Sequence, residues 1–179
     1  MPFDPAAPVN PSWIVRTGRM ELRPASYIDL PDLMGLKADP LVYAVMLGGV
    51  RTAAETAAEL AEDIMFWGRH GIGTWVARTV DTNSFLGHVG MHERHDGRGT
   101  ALRFAFAANT HGRGYASEAA GAALRFGHER AGMPRIVAFA RQTNVASRQV
   151  LGSIGMIEYD SFVRDQERVV AYESVWGRR

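Results

Sequence analysis

Two periods of alternation between apolar and polar residues separate strands from helices along this chain. A two-residue alternation from Met20 to Arg23 stops at Pro24 and predicts a first strand, because proline cannot donate to a ladder. Apolar residues recur at helical spacing over residues 52–67 and predict a helix that ends at Gly68 or Gly71. Ser26 or Asp29 caps a shorter helix between these elements, closed before Pro40.

The second half of the chain predicts most of a sheet. Residues 74–78, 85–92 and 101–106 have strand patterns separated by short turns, so we expect three antiparallel neighbours. A helix over residues 115–131 and a buried-type strand over 135–140 follow. Strand, helix and strand of this size form a parallel pair with a right-handed crossover.

The C-terminal segment predicts one more helix and a hairpin. Asn144 is an N-cap residue for a helix over residues 145–154, and Gly155 ends it. Residues 157–163 and 168–176 form the hairpin. The predicted fold class is α/β of the α+β kind: a mixed sheet with helices on both faces.

The N-terminal segment differs from the rest of the chain. Four prolines fall within the first eleven residues, and no basic start precedes an apolar stretch, so we expect an extended lead-in over residues 1–16 and no signal peptide. No repeat or linker interrupts the remainder, and residues 17–179 are predicted to form one domain.

Composition narrows the function classes. With 46% hydrophobic and 22% charged residues, the 179-residue chain has the composition of a folded globular protein. Twenty basic and nineteen acidic residues leave a net charge of +1, which predicts no nucleic-acid partner and no membrane partner. The absence of cysteine excludes disulfide scaffolds and thiol nucleophiles, and is compatible with a reducing compartment; we expect a cytoplasmic protein.

The first candidate site is a glycine-containing loop between a strand and a helix. Gly112 and Gly114 allow consecutive backbone amides to turn toward one point beside a helix N-terminus, which suits a phosphate or pyrophosphate. A plain tight turn is the alternative. Glu118 in the first helical turn would repel a phosphate, so Arg113, with Arg148 as a further candidate, must offset its charge.

Two further clusters admit both structural and chemical interpretations. Ser147 lies three residues after Asn144 on the inward side of its helix, where its hydroxyl bonds a nearby carbonyl or faces a ligand. His88, His92 and His95 lack a carboxylate at convincing spacing, so we predict no metal site. Glu93 is either a solvated charge at a strand end or a free carboxylate near the sheet centre.

The order of these segments resembles the GNAT N-acetyltransferases. The resemblance rests on GRGYASEAAGAALRFGHERAGMPRI from Gly112, on Asn144-x-x-Ser147 and on Gly155-Met156, and extends over residues 17–176. More narrowly, the chain is similar to the ribosomal-protein-alanine N-acetyltransferase (RimJ/RimL-like) branch. The resemblance implies a GNAT fold with acetyl-CoA as co-substrate and a splayed parallel strand pair.

The resemblance also implies where acetyl-CoA binds. Backbone groups of Phe106, Ala107 and Ala108 would pair with the pantetheine arm as a strand does, and Asn144 and Ser147 would contact the cofactor beyond it. The pyrophosphate would be held by the loop and first helical turn: His111, Gly112, Arg113, Gly114, Tyr115, Ala116 and Ser117.

Departures from the family pattern concern the catalytic groups. Ala101 stands where a glutamate often serves in the general-base route, so Glu93, or else His92, is the candidate base, with Glu93 preferred. Leu151 stands where many members have tyrosine, which leaves Ser147 as the candidate donor to the departing thiolate.

The predicted activity is acetyl transfer from acetyl-CoA to a primary amine without a covalent enzyme intermediate. A protein N-terminus is the first choice of acceptor; a polyamine, an amino acid or an aminoglycoside is the alternative. A non-catalytic acyl-CoA-binding module and a nucleotide-phosphate binder are the other function classes. The oligomeric state is open, with a homodimer among the alternatives.

Overall fold

The computed structural model describes residues 9–177, and eight strands make up one sheet in this part of the chain. Their order is β1-β2-β3-β4-β5-β6-β8-β7. All neighbouring pairs are antiparallel except β5 and β6, which are parallel. The bounds are β1 Val15–Arg16, β2 Met20–Pro24, β3 Thr74–Thr79, β4 Phe85–Glu93, β5 Thr100–Phe106, β6 Arg135–Arg141, β7 Ile157–Arg164 and β8 Glu167–Val175.

Five helices flank this sheet in the described residues. They are α1 Leu30–Ala38, α2 Pro40–Tyr43, α3 Ala53–His70, α4 Tyr115–Glu129 and α5 Val145–Ser153. The longest, α3, has Thr52 as its N-cap and ends at Gly71, one of the two predicted stops, whose φ of 63° suits a left-handed cap. The one-turn helix α2 begins at Pro40, directly after the end of α1, and its N-cap is Asp39.

The core has two layers, one on each face of the sheet. The layer under α4 includes Met91, Leu102 and Phe104. The layer under α1 to α3 includes Val76 and Ala105. Since Phe104 and Ala105 are successive strand residues, their side chains point to opposite faces. The predicted arrangement, a mixed sheet with helices on both faces and one parallel pair, is confirmed.

The expected N-terminal lead-in falls partly outside the described residues, which exclude 1–8. The rest of the lead-in is more structured than expected: Pro11–Trp13 form a 3₁₀ turn, and β1 pairs with β2. Trp75 Nε1 donates a hydrogen bond of 2.6 Å to the carbonyl of Trp13, which ties this segment to the core. Within residues 9–177, no helix is long and apolar enough to cross a membrane.

Candidate functional site

The parallel strands β5 and β6 separate soon after they meet. Their register has only two pairs, Ala101 with Val137 and Leu102 with Ala138. Beyond these pairs the rest of β5, up to Phe106, has no strand partner on that side. A segment of this kind exposes backbone donors and acceptors that an extended amide-bearing ligand can satisfy.

A groove of about 700 Å³ runs from this gap to the N-terminus of α4. Apolar residues form much of its walls, with Leu41, Val42 and Val45 on one side and Val150 on the other. Nine of the twelve predicted cofactor residues line it: Phe106, His111, Gly112, Gly114, Tyr115, Ala116, Ser117, Asn144 and Ser147. The other three, Ala107, Ala108 and Arg113, are not among the lining residues.

The glycine loop has the conformation that its sequence indicated. Gly112 and Gly114 have φ angles of 75° and 77°, and Gly114 is the N-cap residue of α4. Both angles lie in the left-handed region, which favours glycine. The first turn of α4 lines the groove, and the amides of a first turn lack partners within their own helix, as an anion site at a helix N-terminus requires.

Arg19, a residue that the sequence did not single out, holds this loop. Its Nη1 donates a hydrogen bond of 2.8 Å to the carbonyl of Arg113, and its Nε donates one of 2.8 Å to Glu118. Burial raises the pKa of the Glu118 carboxyl, but hydrogen bonds from Thr17 and Arg19 outweigh burial and lower it. The charge of Glu118 is therefore offset mainly by Arg19.

Arg148 does not offset Glu118, contrary to expectation. Its guanidinium donates to the hydroxyl of Tyr172 at 3.1 Å and to Glu158 at 3.1 Å, on the side of β7 and β8. These contacts direct the side chain away from the glycine loop, so the anion site gains no charge from it.

The turn after β5 corrects the prediction for Ala107. Its N–H donates to Leu86 at 2.8 Å, and its carbonyl accepts two hydrogen bonds from Thr110. Both backbone groups are thus already used. The neighbouring carbonyl of Phe106, a residue that lines the groove, accepts a hydrogen bond of 2.8 Å from His111 Nε2 and has a second lone pair.

A second cavity, which we call the inner cavity, has a volume of about 360 Å³ and meets the groove at the gap. Phe104, Asn144 and Ser147 line both spaces. Asn144 caps α5, as predicted, by accepting a 3.1 Å hydrogen bond from the amide of Ser147. The Ser147 hydroxyl has no hydrogen-bond partner within residues 9–177, so the alternative of a bond to a nearby carbonyl does not apply.

Two histidines of β4 lie on the wall of the inner cavity. His88 shares a 2.6 Å hydrogen bond with the Tyr43 hydroxyl, and His92 lies opposite Ala101 across the β4–β5 ladder. Burial, together with the cations of Arg103 and Arg94, lowers the pKa of His92 to about 3. Burial likewise lowers the pKa of His88 well below its usual value. Both rings are therefore neutral near pH 7.

Three buried nitrogens on this wall have no hydrogen-bond partner in the described part of the chain. They are Nδ1 of His88, Nδ1 of His92 and Nε of Arg103. A buried polar group without a partner is costly, and such groups are usual where a ligand or water completes the site. The inner cavity thus offers polar groups to a second substrate.

Glu93 lies outside the inner cavity. It is exposed at the end of β4 and lines an outer groove of about 930 Å³, which continues from the inner cavity and shares His92 and Arg103 with it. His92 therefore lines both spaces, whereas Glu93 lines only the outer groove. No group of three or more His, Cys, Asp or Glu residues that could hold a metal occurs among residues 9–177.

Comparison with known proteins identifies the family of this chain. The family model of the acetyltransferase (GNAT) domain matches residues 19–157. A relative, the uncharacterized protein YkkB of Bacillus subtilis, is 27% identical over 157 residues, which is 87% of this chain and 91% of that protein.

Solved structures share the fold. An acetyltransferase from Agrobacterium tumefaciens has a TM-score of 0.80 and 26% identity over 90% of this chain and 93% of that one. An acetyl transferase from Salmonella typhimurium that modifies the N-terminal serine of ribosomal protein L7/L12 has a TM-score of 0.77 and 18% identity, over 90% of this chain and 98% of that one. A spermidine N-acetyltransferase mutant from Vibrio cholerae has a TM-score of 0.70 and 14% identity, over 89% of this chain and 95% of that one. The matched family model and the strand gap with its anion loop together show that this chain belongs to the GNAT family and is an acetyl-CoA-dependent N-acetyltransferase.

Proposed function

We propose that this enzyme transfers the acetyl group of acetyl-CoA directly to the α-amine of a peptide or protein N-terminus. The observation that carries the proposal is the meeting of two spaces at Ser147 and Asn144. One space is an apolar groove with an anion loop at its far end, and the other is a polar cavity. A thioester that enters from the groove and an amine that enters from the cavity meet at this point.

The reaction forms a bond between the amine nitrogen and the carbonyl carbon of the thioester and breaks the bond between that carbon and sulfur. The nitrogen loses one proton and the departing sulfur gains one, so the products are an amide and the free thiol of coenzyme A. The Ser147 hydroxyl, which has no hydrogen-bond partner within residues 9–177, donates to the departing sulfur. The amine must be neutral when it attacks. The arginines that line the inner cavity favour the neutral amine, because nearby positive charge lowers the pKa of an ammonium group.

The shape of the acceptor side supports an N-terminus as the acceptor. The outer groove opens from the inner cavity and is the larger of the two, so the chain that follows a reacting N-terminus has room to extend along it. One structural neighbour acts on a protein N-terminus and another is named for spermidine, so the neighbours do not distinguish these acceptors. We therefore base the choice of a protein N-terminus on the shape of the outer groove.

The test is release of free coenzyme A from acetyl-CoA with a mixed panel of peptides, amino acids and polyamines, with mass spectrometry of the products. We expect a peptide α-amine to gain one acetyl group. Thermal stabilisation by acetyl-CoA without turnover of any amine would contradict the proposal and favour a binding module, for which the absence of a glutamate at Ala101 and of a tyrosine at Leu151 would then account. Stabilisation by ATP that coenzyme A does not compete with would favour a nucleotide-phosphate binder.

A further inference from the structure

The inner cavity is lined by more positive than negative side chains. Five arginines line it, but only one carboxylate, that of Glu59. The arginines are Arg51, Arg94, Arg103, Arg141 and Arg164. In a partly buried space such charges act more strongly than they do in water, so the imbalance affects which acceptor enters.

The only carboxylate that lines this cavity in the described part of the chain already binds two cations of the protein. Glu59 accepts hydrogen bonds from the buried Lys37 ammonium at 2.5 Å and from Arg51 Nε at 2.6 Å. Arg51 also donates to the carbonyls of Leu47 and Gly49, and so anchors the loop before α3. Two cations share one carboxylate here, so the negative charge of Glu59 is already balanced and attracts an ammonium group of a substrate only weakly.

The other arginines differ in how far they are neutralised. Arg94 pairs with Asp96 and Arg103 with Asp63. Arg141 pairs with Glu167 at 2.8 Å. In contrast, Arg164 has only its exposed sequence neighbour Asp165, at 3.5 Å, and its own side chain is half exposed. Arg164 is therefore the lining cation that is most available to a ligand.

Arg164 lies at the junction of the acceptor route. It lines both the inner cavity and the outer groove, so it faces the part of an acceptor that follows the reacting amine. A carboxylate a few bonds from that amine would reach the guanidinium and form a charge-assisted hydrogen bond.

A polycationic acceptor would find few partners along this route. The outer groove has four further carboxylates, of which Asp63 and Asp96 already bind arginines. Glu62 and Glu93 stay available, but both are exposed on the outer groove and neither lines the inner cavity. A polyamine could thus be attracted to the rim, whereas its second charge would meet arginines inside.

We propose, on the basis of the function proposed above, that the acceptor of this enzyme carries a carboxylate close to its reacting amine, and that Arg164 recognises this carboxylate. Two kinds of acceptor have a carboxylate in this position: a protein N-terminus with an acidic residue next to its first residue, and a free acidic amino acid.

The experiment compares kcat/KM for peptides that differ only in their second residue, aspartate, asparagine or lysine, with free aspartate and spermidine as further arms. We expect the aspartate peptide to exceed the asparagine peptide by about tenfold, and lysine to be poorer still. Turnover of the aspartate peptide but not of free aspartate identifies the N-terminus as the source, and the reverse identifies the amino acid.

Variants separate recognition by Arg164 from a general charge effect. Arg164→Gln should reduce the preference for aspartate over asparagine to near one, and Arg164→Glu should reverse it. Arg168→Gln is the matched control: Arg168 lies in the same hairpin, bonds Ser161 and lines neither space, so the preference should stay. Melting temperatures check that each variant is folded.

The outcomes also separate this inference from the proposed function. Acetylated amines with no preference for a carboxylate, a preference for spermidine, or a preference that survives Arg164→Gln would each overturn the inference while leaving N-acetylation intact. If no amine in any arm is acetylated, the proposed function fails and the inference fails with it.

Discussion

Ser147 is the side chain on which the proposed chemistry depends most. Its hydroxyl lies where the two spaces meet and is not used by the fold. A hydrogen bond that strengthens as charge gathers on sulfur is worth about 2–3 kcal/mol, or about a hundredfold in rate. Ser147→Ala should therefore lower kcat by up to this factor and leave the affinity for acetyl-CoA nearly unchanged.

Steady-state kinetics with a direct binding measurement check this prediction. Ser161→Ala is a suitable control, because Ser161 is exposed on β7 and lines neither space. Weaker binding of acetyl-CoA by Ser147→Ala at unchanged kcat would assign Ser147 to binding rather than to the chemical step.

The left-handed backbone of Gly114 leads to a second prediction, about the affinity for acetyl-CoA. An alanine there would have to adopt φ near 77°, which costs about 1–2 kcal/mol and disturbs the amides at the start of α4. We expect Gly114→Ala to weaken acetyl-CoA binding severalfold, as measured by calorimetry. Gly121→Ala on the same helix meets its neighbours at ordinary distances of 3.6 Å and should bind as the wild type does. Equal affinities of the two variants would contradict the assigned role of the glycine loop.

The connection between β2 and α4 governs the charge of the anion site. Arg19 precedes β2, and its guanidinium pairs with Glu118 of α4 at 2.7 Å. Arg19→Gln should leave Glu118 uncompensated beside a bound pyrophosphate and weaken acetyl-CoA binding by about two- to fivefold, since the pair is partly exposed.

A double variant tests whether charge or loop packing is responsible. If charge dominates, Arg19→Gln combined with Glu118→Gln should recover most of the lost affinity, because the repulsive carboxylate is removed together with its partner. A double variant that binds as weakly as Arg19→Gln alone would show that Arg19 acts chiefly by holding the loop at Arg113.

The sequence predicts the elements of this fold better than it predicts the environment of its charged groups. Strands such as β4 and helices such as α3 follow from periodicity, and the parallel pair follows from the strand-helix-strand order. Arg19 and Glu118 are 99 residues apart, so no local pattern connects them. The backbone carbonyl of Ala107 accepts its hydrogen bonds because the chain turns at Thr110, and the position of His92 opposite Ala101 depends on strand register.

The two neutral histidines make the stability of the whole molecule depend on pH. Unfolding exposes His88 and His92, whose pKa values then return to about 6.5. As the pH falls from about 6.5 toward 3, the unfolded state binds protons that the native state excludes, so stability decreases, by up to about 1.4 kcal/mol per pH unit for each group.

Urea unfolding at several pH values between about 6 and 5 measures this dependence. His92→Gln removes one of the two groups, so its free energy of unfolding should fall less steeply with decreasing pH than that of the wild type. Parallel curves for the two proteins would mean that His92 is not buried in its neutral form.

In the proposed binding mode, acetyl-CoA enters the gap between β5 and β6 with its phosphates at the start of α4. Amide hydrogen exchange, with and without saturating acetyl-CoA, tests this placement directly. We expect slower exchange at residues 104–108 and 112–118, with little change in the outer groove at residues 93–96. Unchanged exchange at 112–118 under saturating acetyl-CoA, or protection centred on the outer groove, would contradict it.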